Sequence, residues 1–236
     1  MSLIVFQHHR DEGACLLGAT LQSLGHKLEH VALYDDQPVP NDLDGVDGII
    51  SMGGPMNVGD ADEHNWIGPE LAYLKAAHDA DVPIVGICLG AQLLASALGG
   101  KVAEMDRPEV GWQTVTLAFP GTTDNLLAGI GWNTTQFHLH GQQVTDLPAG
   151  SAPLATSGAC RNQAFKVGMR SYGFQYHFEW NRRQIQQFAR DWLVTKAGVV
   201  ADDIIAQCDE HFDAYRRLGD RLCRQIGMLL FPVDKK

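Results

Sequence analysis

Short apolar runs alternate with stretches of helical periodicity through the first hundred residues. The apolar runs, each four to six residues long, lie at 3–6, 28–33, 48–52 and 83–87. Apolar residues recur at three- and four-residue spacing over 12–24, 66–80 and 91–98, as on the buried face of a helix. This alternation predicts an α/β fold with a mostly parallel central sheet flanked by helices.

Beyond residue 100 the pattern changes to extra short strands, predicted at 114–118, 134–138, 152–155, 163–167 and 172–176. From Arg182 it becomes helical, with Ile185, Phe188 and Trp192 predicted on one face of a first helix and a second helix over 204–229. We find no internal repeat and no linker. The prediction is one domain over 1–236, with a core over about 1–180 and a C-terminal helical extension over about 181–236.

Charge and composition narrow the class of protein. Lys and Arg number 18 against 28 Asp and Glu, for a formal net charge of −10 and no basic run, which argues against nucleic acid or an anionic membrane as a partner. Residues 1–7 lack the basic region and the long apolar region of a signal peptide, and no apolar run reaches the roughly 18 residues of a membrane span. The five cysteines form no CxxC pair. We therefore expect a cytoplasmic protein with free thiols.

One cysteine, Cys88, lies where a predicted strand ends and a helix begins. The frame Gly86-Ile87-Cys88-Leu89-Gly90 has the form of a nucleophile elbow, whose sharp turn leaves no room for side chains on either side of the nucleophile. A helix N-terminus favours the thiolate, and the amide of Leu89 would face a developing oxyanion. The alternative is a buried structural cysteine.

A base and its orienting group are available in the stretch YGFQYHFEW. His177 and Glu179 stand two residues apart, so on an extended segment they project to the same side. Glu179 would then accept one imidazole N–H and leave the other ring nitrogen for Cys88, as in a Cys-His-Glu triad. An HxE triplet is common and is weak evidence alone. It becomes significant because the chain also has the nucleophile elbow at Cys88.

Two further stretches carry polar groups near predicted strand ends. Gly53 and Gly54 follow the third strand, at the edge where ligands of open α/β sheets bind, and either could supply a second oxyanion amide. His138 and His140 share one side of a strand at a spacing that suits a metal, but no acidic or cysteine partner is near in sequence. We predict no metal. His8-His9-Arg10 follows the first strand at the predicted ligand edge; we expect it to form a solvated loop, the alternative being that it lines the mouth of the pocket.

The stretches GGPM, GICLGAQLLA, NQAF and YGFQYHFE together resemble the class I glutamine amidotransferases, most of all the stand-alone group similar to the glutaminase part of GMP synthase. The resemblance implies a flavodoxin-like fold and no cofactor. It implies Cys88 as nucleophile, His177 as base and acid, and Glu179 as its orienter. It also implies oxyanion donors at Gly54 and Leu89, and a substrate contact at Gln92.

Two positions depart from the family pattern. Phe178 stands between His177 and Glu179 where the family usually has proline, so a φ constraint is lost. The stretch ending in His140 and Gly141 resembles the family's HxHG segment beside the substrate pocket. There the following residue is commonly Asp, and here it is Gln142.

Three functions remain open at this stage. The first is hydrolysis of glutamine through a thioester at Cys88, with ammonia passing to a separate synthase subunit, because the chain carries no P-loop to activate an acceptor. The second is hydrolysis of γ-glutamyl peptides or γ-glutamyl amines, with water as acceptor. The third is a non-catalytic regulatory protein on the same fold.

Overall fold

Residues 2–232 are described by a computed structural model of the chain. Met1 and residues 233–236 lie outside the described residues. Met1 is the first residue of the predicted domain, and 233–236 are the last four residues of its predicted helical extension. Each predicted element of the first hundred residues is present. They are β1 (Ser2–Gln7), α1 (Cys15–Ser23), β2 (Leu28–Ala32), β3 (Val46–Ser51), α2 (Ile67–Asp79), β4 (Ile84–Ile87) and α3 (Leu89–Ala97).

The second half of the chain contributes five more strands and the remaining helices. These are β5 (Lys101–Leu117), α4 (Phe119–Thr122), β6 (Asn133–Asp146), β7 (Ser151–Thr156), β8 (Ala164–Val167), β9 (Ser171–Phe174), α5 (Arg182–Phe188), α6 (Trp192–Lys196) and α7 (Ala201–Gln225). A π-helical turn, Ile226–Leu230, continues α7. The strand over 172–176 was predicted two residues too long, since β9 ends at Phe174.

All nine strands join one sheet in the order β2-β1-β3-β4-β9-β8-β7-β5-β6. The pairs from β2 to β9 are parallel, and those from β9 to β6 are antiparallel. The parallel part begins in the flavodoxin-like order 2-1-3-4. The predicted α/β class is confirmed, and the extra strands extend the same sheet.

Two of the extra strands are much longer than predicted. β5 has 17 residues and β6 has 14, and together they form an antiparallel hairpin that includes Pro108. The pairing register shifts between Glu104 and Glu109, and a proline inside a strand is tolerated at such an irregularity. The proline and the charges around it obscured the strand signal.

The C-terminal helices also differ from the prediction. The first helix ends at Phe188, and Trp192 opens a separate short helix, α6, with its side chain 60% exposed. Ile185 and Phe188 are buried as expected, because only they face the core. The long helix α7 begins at Ala201, three residues before the predicted start.

Side chains of the central strands alternate between two apolar layers, as strand geometry requires. In β1, Leu3 and Val5 pack with residues of α1 and α7, while Ile4 and Phe6 pack with residues of α2 and α3. Helices thus cover both faces of the parallel strands. Within residues 2–232, none of the helices has the length and apolar character needed to span a bilayer.

Candidate active site

Cys88 lies on a strained turn between β4 and α3. Its backbone has φ 52° and ψ −108°, a region that residues with side chains rarely adopt. Its N–H donates to the carbonyl of Phe174 in β9 at 2.8 Å, which fixes the turn to the neighbouring strand. The side chain is 6% exposed, so the thiol reaches solvent only through the site.

The glycines on either side of Cys88 are required by close backbone contacts. A Cβ atom on Gly86 would overlap the carbonyl of Gly90, and a Cβ atom on Gly90 would overlap the carbonyl of Ser51 in β3. The helix therefore packs against the end of the adjacent strand without room for a methyl group. This is the steric feature that the sequence pattern anticipated.

His177 lies beside Cys88, although it belongs to no regular strand. Its N–H donates to the carbonyl of Phe137 at 2.9 Å, the two residues forming an isolated antiparallel bridge. The prediction that His177 lies at the end of a strand is therefore wrong. An isolated bridge to Phe137 of β6 holds its backbone instead. The imidazole stacks on Trp180, with ring centroids 3.7 Å apart, so the ring plane is fixed by packing.

Glu179 contacts the imidazole on the side away from the thiol. Oε1 of Glu179 lies 2.7 Å from Nδ1 of His177, and both side chains are 1% exposed or less. Cys88 lies close enough to the ring to contribute to the raised pKa of His177, and its Sγ lies 3.8 Å from the carbonyl oxygen of Leu139. Since Nδ1 faces the carboxylate, Nε2 is the ring nitrogen left for Sγ.

Burial alone would lower the pKa of His177, because a charged ring is poorly solvated there. The charge of Glu179, the nearby Cys88 and the hydrogen bond to Glu179 outweigh it and raise the pKa of His177 to about 10. The raised pKa favours the protonated imidazole, which is the form that can give a proton to a leaving group.

The loop after β3 brings Gly53 and Gly54 to the same place. A Cβ atom on Gly53 would lie 3.1 Å from Cε1 of His177 and 3.6 Å from Cβ of Cys88. Within residues 2–232, the N–H groups of Gly53, Gly54 and Leu89 donate to no backbone acceptor. Gly53 and Leu89 are buried and Gly54 is half-buried, and amides without a backbone partner are available to bind an oxyanion.

A cavity of about 110 Å³ opens beside Cys88. Among its lining residues are five of the predicted substrate and oxyanion residues: Gly54, Leu89, Gln92, His140 and Gly141. Gln92 is held by hydrogen bonds from its Nε2 to the carbonyl of Gln142 and to Oε1 of Gln175, both at 3.1 Å. Trp192, Glu104 and Lys196 form the rim, and none of these three was predicted from the sequence.

The two histidines of the HxHG segment meet an acidic residue that is distant in sequence. The β5–β6 register places Glu109 opposite His140, and ligand atoms of Glu109, His138 and His140 lie within 4.8 Å of one another. The carboxylate, however, already accepts hydrogen bonds from Ser157, Gln163 and His140 at 2.6, 2.5 and 3.0 Å. Glu109 and His140 thus belong to a hydrogen-bond network, whereas neither ring nitrogen of the buried His138 has a hydrogen-bond partner among the described residues. The absence of a metal stays a prediction.

Sequence reasoning missed two acidic groups near the glycine loop. Glu12 is 7% exposed, and its carboxylate would overlap a Cβ atom on Gly53. Burial raises the pKa of Glu12 more than the nearby His177 lowers it. His8, expected in a solvated loop, is fully buried and contacts Glu70 of α2 at 2.8 Å. His8 and Glu70 are 62 positions apart in the sequence, so no local pattern predicts their contact.

Known proteins of one family resemble the chain over most of its length. The family model described as "Glutamine amidotransferase class-I" matches residues 15–194. The chain is 35% identical over 180 residues to one subunit of the glutamine-hydrolyzing GMP synthase of Natronomonas pharaonis, covering 76% of this chain and 89% of that protein. It is 31% identical over 179 residues to the subunit of the same name from Thermoplasma volcanium, covering 73% and 79% respectively.

Solved structures show the same fold. A glutamine amido transferase from Methylobacillus flagellatus superimposes with a TM-score of 0.83 at 24% identity, over 95% of this chain and 93% of that chain. A glutamine amidotransferase from Thermotoga maritima gives 0.85 at 19% identity, over 97% and 98%. At these identities the likeness extends to the architecture alone.

Proposed function

Since the chain belongs to the class I glutamine amidotransferase family, we propose that it hydrolyses the γ-amide of glutamine through a thioester at Cys88. The observation that carries this proposal is the connected series Cys88, His177 and Glu179 at the carboxyl end of β4. A nucleophile, a base and an orienting carboxylate in contact are the parts that acyl transfer requires.

In the proposed first step, Sγ of Cys88 attacks the side-chain carbonyl carbon of glutamine. The carbonyl oxygen takes the negative charge and is stabilised by the amides of Gly54 and Leu89. His177 gives its Nε2 proton to the leaving amine, which departs as ammonia and leaves a γ-glutamyl thioester. The raised pKa of His177 beside Cys88 supports this assignment.

In the second step, water attacks the thioester carbonyl while His177 takes a proton from that water. The C–S bond breaks, glutamate leaves, and the proton returns the thiolate–imidazolium pair to its first state. Glu179 keeps Nδ1 protonated in both steps, so Nε2 is always the nitrogen that exchanges the proton. Gln92, at the wall of the cavity, is assigned to hold the substrate.

Replacement of the nucleophile tests this function. Cys88→Ala should lower glutamate release from glutamine by at least about 10⁴-fold, with ammonia release falling equally. Cys160→Ala is the matched control, because Cys160 is also buried but packs away from the cavity. Wild-type turnover in Cys88→Ala would refute the proposal, as would an equal loss in the control variant.

The fate of the ammonia is part of the proposal. The relatives from Natronomonas pharaonis and Thermoplasma volcanium are each named as one subunit of a glutamine-hydrolyzing GMP synthase, which supports transfer to a separate synthase subunit. The longer GMP synthase of Porphyromonas gingivalis is 37% identical over 148 residues, and the alignment spans only 28% of that protein. An acceptor domain on another chain would complete the reaction here.

A γ-glutamyl peptide or amine is the second candidate substrate. It is favoured by the neutral Gln142, which stands where Asp is common, and by the exposed Trp192 at the cavity rim. The two substrates are distinguished by the rate of glutamate release from glutamine and from γ-glutamyl dipeptides by the chain alone. The assembled arrangement of Cys88, His177 and Glu179 supports catalysis over the non-catalytic alternative.

A further inference from the structure

A buried ion pair lies directly behind the glycine loop of the active site. Nε2 of His8 contacts Oε2 of Glu70 at 2.8 Å, and Oγ of Ser51 donates to Oε1 of the same carboxylate at 2.7 Å. His8, Ser51 and Glu70 are all fully buried. The proposed reaction uses none of these three residues.

The second ring nitrogen of His8 faces the backbone of the loop. Nδ1 lies 3.0 Å from the carbonyl oxygen of Met52 and 3.3 Å from that of Gly53. A carbonyl only accepts hydrogen bonds, so Nδ1 must carry hydrogen. Burial lowers the pKa of His8, but Glu70 and the hydrogen bonds to Glu70, Gly53 and Met52 raise it overall, which favours the imidazolium form.

The direction of these carbonyls determines the direction of the loop amides. In a trans peptide the C=O and N–H bonds point in opposite directions. Holding the Gly53 carbonyl toward His8 therefore turns the N–H of Gly54 away from His8. Cys88 and His177 lie beside Gly53, whereas His8 contacts the other side of the loop, with its Cβ 2.9 Å from a Cβ atom placed on Gly54.

We propose that the His8–Glu70 pair is a positioning device for the oxyanion hole, fixing the Gly53–Gly54 peptide so that its N–H faces the reacting carbonyl. The inference rests on the proposed function. His8 touches neither substrate nor nucleophile in this assignment and acts through the loop backbone. Preorganised amides are effective because they need no reorientation as charge develops.

A single substitution would leave a buried charge without a partner and endanger the fold. The test variant is therefore the double change His8→Phe with Glu70→Leu, which removes both charges and keeps a ring against Trp66, now 4.8 Å from the imidazole. The matched control is His78→Phe in α2, the helix that also carries Glu70. This change also removes a side-chain contact, the one of 2.8 Å between His78 and Ser171, but at a place remote from the glycine loop.

Two measurements distinguish an effect on the oxyanion hole from an effect on the Cys88 thiol. The first is kcat and KM for glutamine. The second is the rate at which iodoacetamide alkylates Cys88, followed by mass spectrometry of the Cys88 peptide. Alkylation consumes the thiolate but forms no tetrahedral oxyanion, so only the first measurement depends on the Gly54 amide.

The double variant should lose between about 10- and 100-fold in kcat, less than the loss of an oxyanion donor itself, with KM and the alkylation rate within about twofold of wild type. Glu70→Gln should retain kcat within about threefold, because its amide can donate to Nε2 of a neutral His8 that still donates from Nδ1. His78→Phe should leave kcat unchanged.

Four results would overturn the inference: unchanged kcat in the folded double variant, an equal fall in alkylation, a rise in KM alone, or the same loss in the control. If wild-type protein hydrolysed no γ-glutamyl amide, the proposed function would fail and this inference with it. An active wild type with an unaffected double variant would refute the inference alone.

Discussion

The backbone N–H of Phe178 donates a hydrogen bond to Oε2 of Glu179 at 2.9 Å. Proline, the usual family residue at this position, has no N–H and could not make this bond. Oε1 of the same carboxylate contacts Nδ1 of His177 at 2.7 Å. Each carboxylate oxygen thus has its own donor, and the departure from the family pattern substitutes a hydrogen bond for a backbone constraint.

Because each oxygen of Glu179 accepts from its own N–H donor, only a carboxylate at this position satisfies both donors. In Glu179→Gln the amide offers one oxygen and one NH₂ group, so one of the two N–H donors would face another donor. We expect kcat to fall by about 10²- to 10⁴-fold, toward the effect of a misplaced histidine tautomer. Steady-state kinetics with glutamine measures this, and a kcat within threefold of wild type would contradict the assignment.

Glu109 should make the fold sensitive to acid. Burial raises the pKa of Glu109, but the hydrogen bonds from His140 and Ser157 and the nearby imidazoles lower it to about 2 overall. Burial lowers the pKa of His138 to about 3, so at neutral pH the hydrogen bonds, and not a charge on His138, stabilise the carboxylate. Since the folded pKa lies below the ordinary value, the stabilisation is complete above about pH 4.5 and is lost as the pH falls toward 2.

Glu109→Gln should therefore lower the free energy of unfolding by about 2 kcal/mol at pH 7 and by less at pH 3. Urea unfolding at both pH values measures the difference. Glu104→Gln is the control, because Glu104 lies exposed on the same strand. Equal losses for Glu109→Gln at the two pH values would show that the carboxylate charge contributes nothing.

The elbow glycine offers a test of packing. In Gly90→Ala the new methyl group would meet the backbone and the hydroxyl of Ser51, so β3 and α3 would have to separate. We expect a loss of about 1–3 kcal/mol in the free energy of unfolding, together with a fall in kcat as Cys88 shifts.

The control for this change is Gly68→Ala in α2, where a Cβ atom would meet nothing within 4 Å. Alanine has the higher helix propensity, so this variant should be neutral or more stable by up to about 1 kcal/mol. Thermal unfolding of the two variants gives the comparison. A Gly90→Ala protein as stable as Gly68→Ala would mean that the elbow tolerates a side chain.

Local steric rules explain what the sequence revealed. The turn around Cys88 demands glycines within two residues, and the parallel strands of the first half are continuous apolar runs. Both signals are short-range, so the α/β class and the elbow could be recognised directly. Spacing also suggested the contact between His177 and Glu179, because two residues suffice to define it.

Contacts set by strand register were beyond such reasoning. Glu109 meets His140 only because β5 and β6 pair as a long hairpin, and Pro108 hid that strand. His8 meets Glu70 because β1 and α2 pack together across 62 residues. The Phe178 N–H can donate only because the Glu179 side chain folds back toward the preceding residue. A hydrophobic pattern does not predict that side-chain conformation.

The position of α7 has a consequence for when the enzyme becomes active during synthesis. Phe178, next to the proposed base, packs its carbonyl against Gly219 of α7, and the Trp180 N–H donates to the Tyr215 hydroxyl at 3.1 Å. A ribosome releases the elbow about 90 residues before His177 and well before α7. A nascent chain stopped before Ala201 would lack both of these contacts beside His177, so we expect the proposed activity to appear only after α7 has been synthesised.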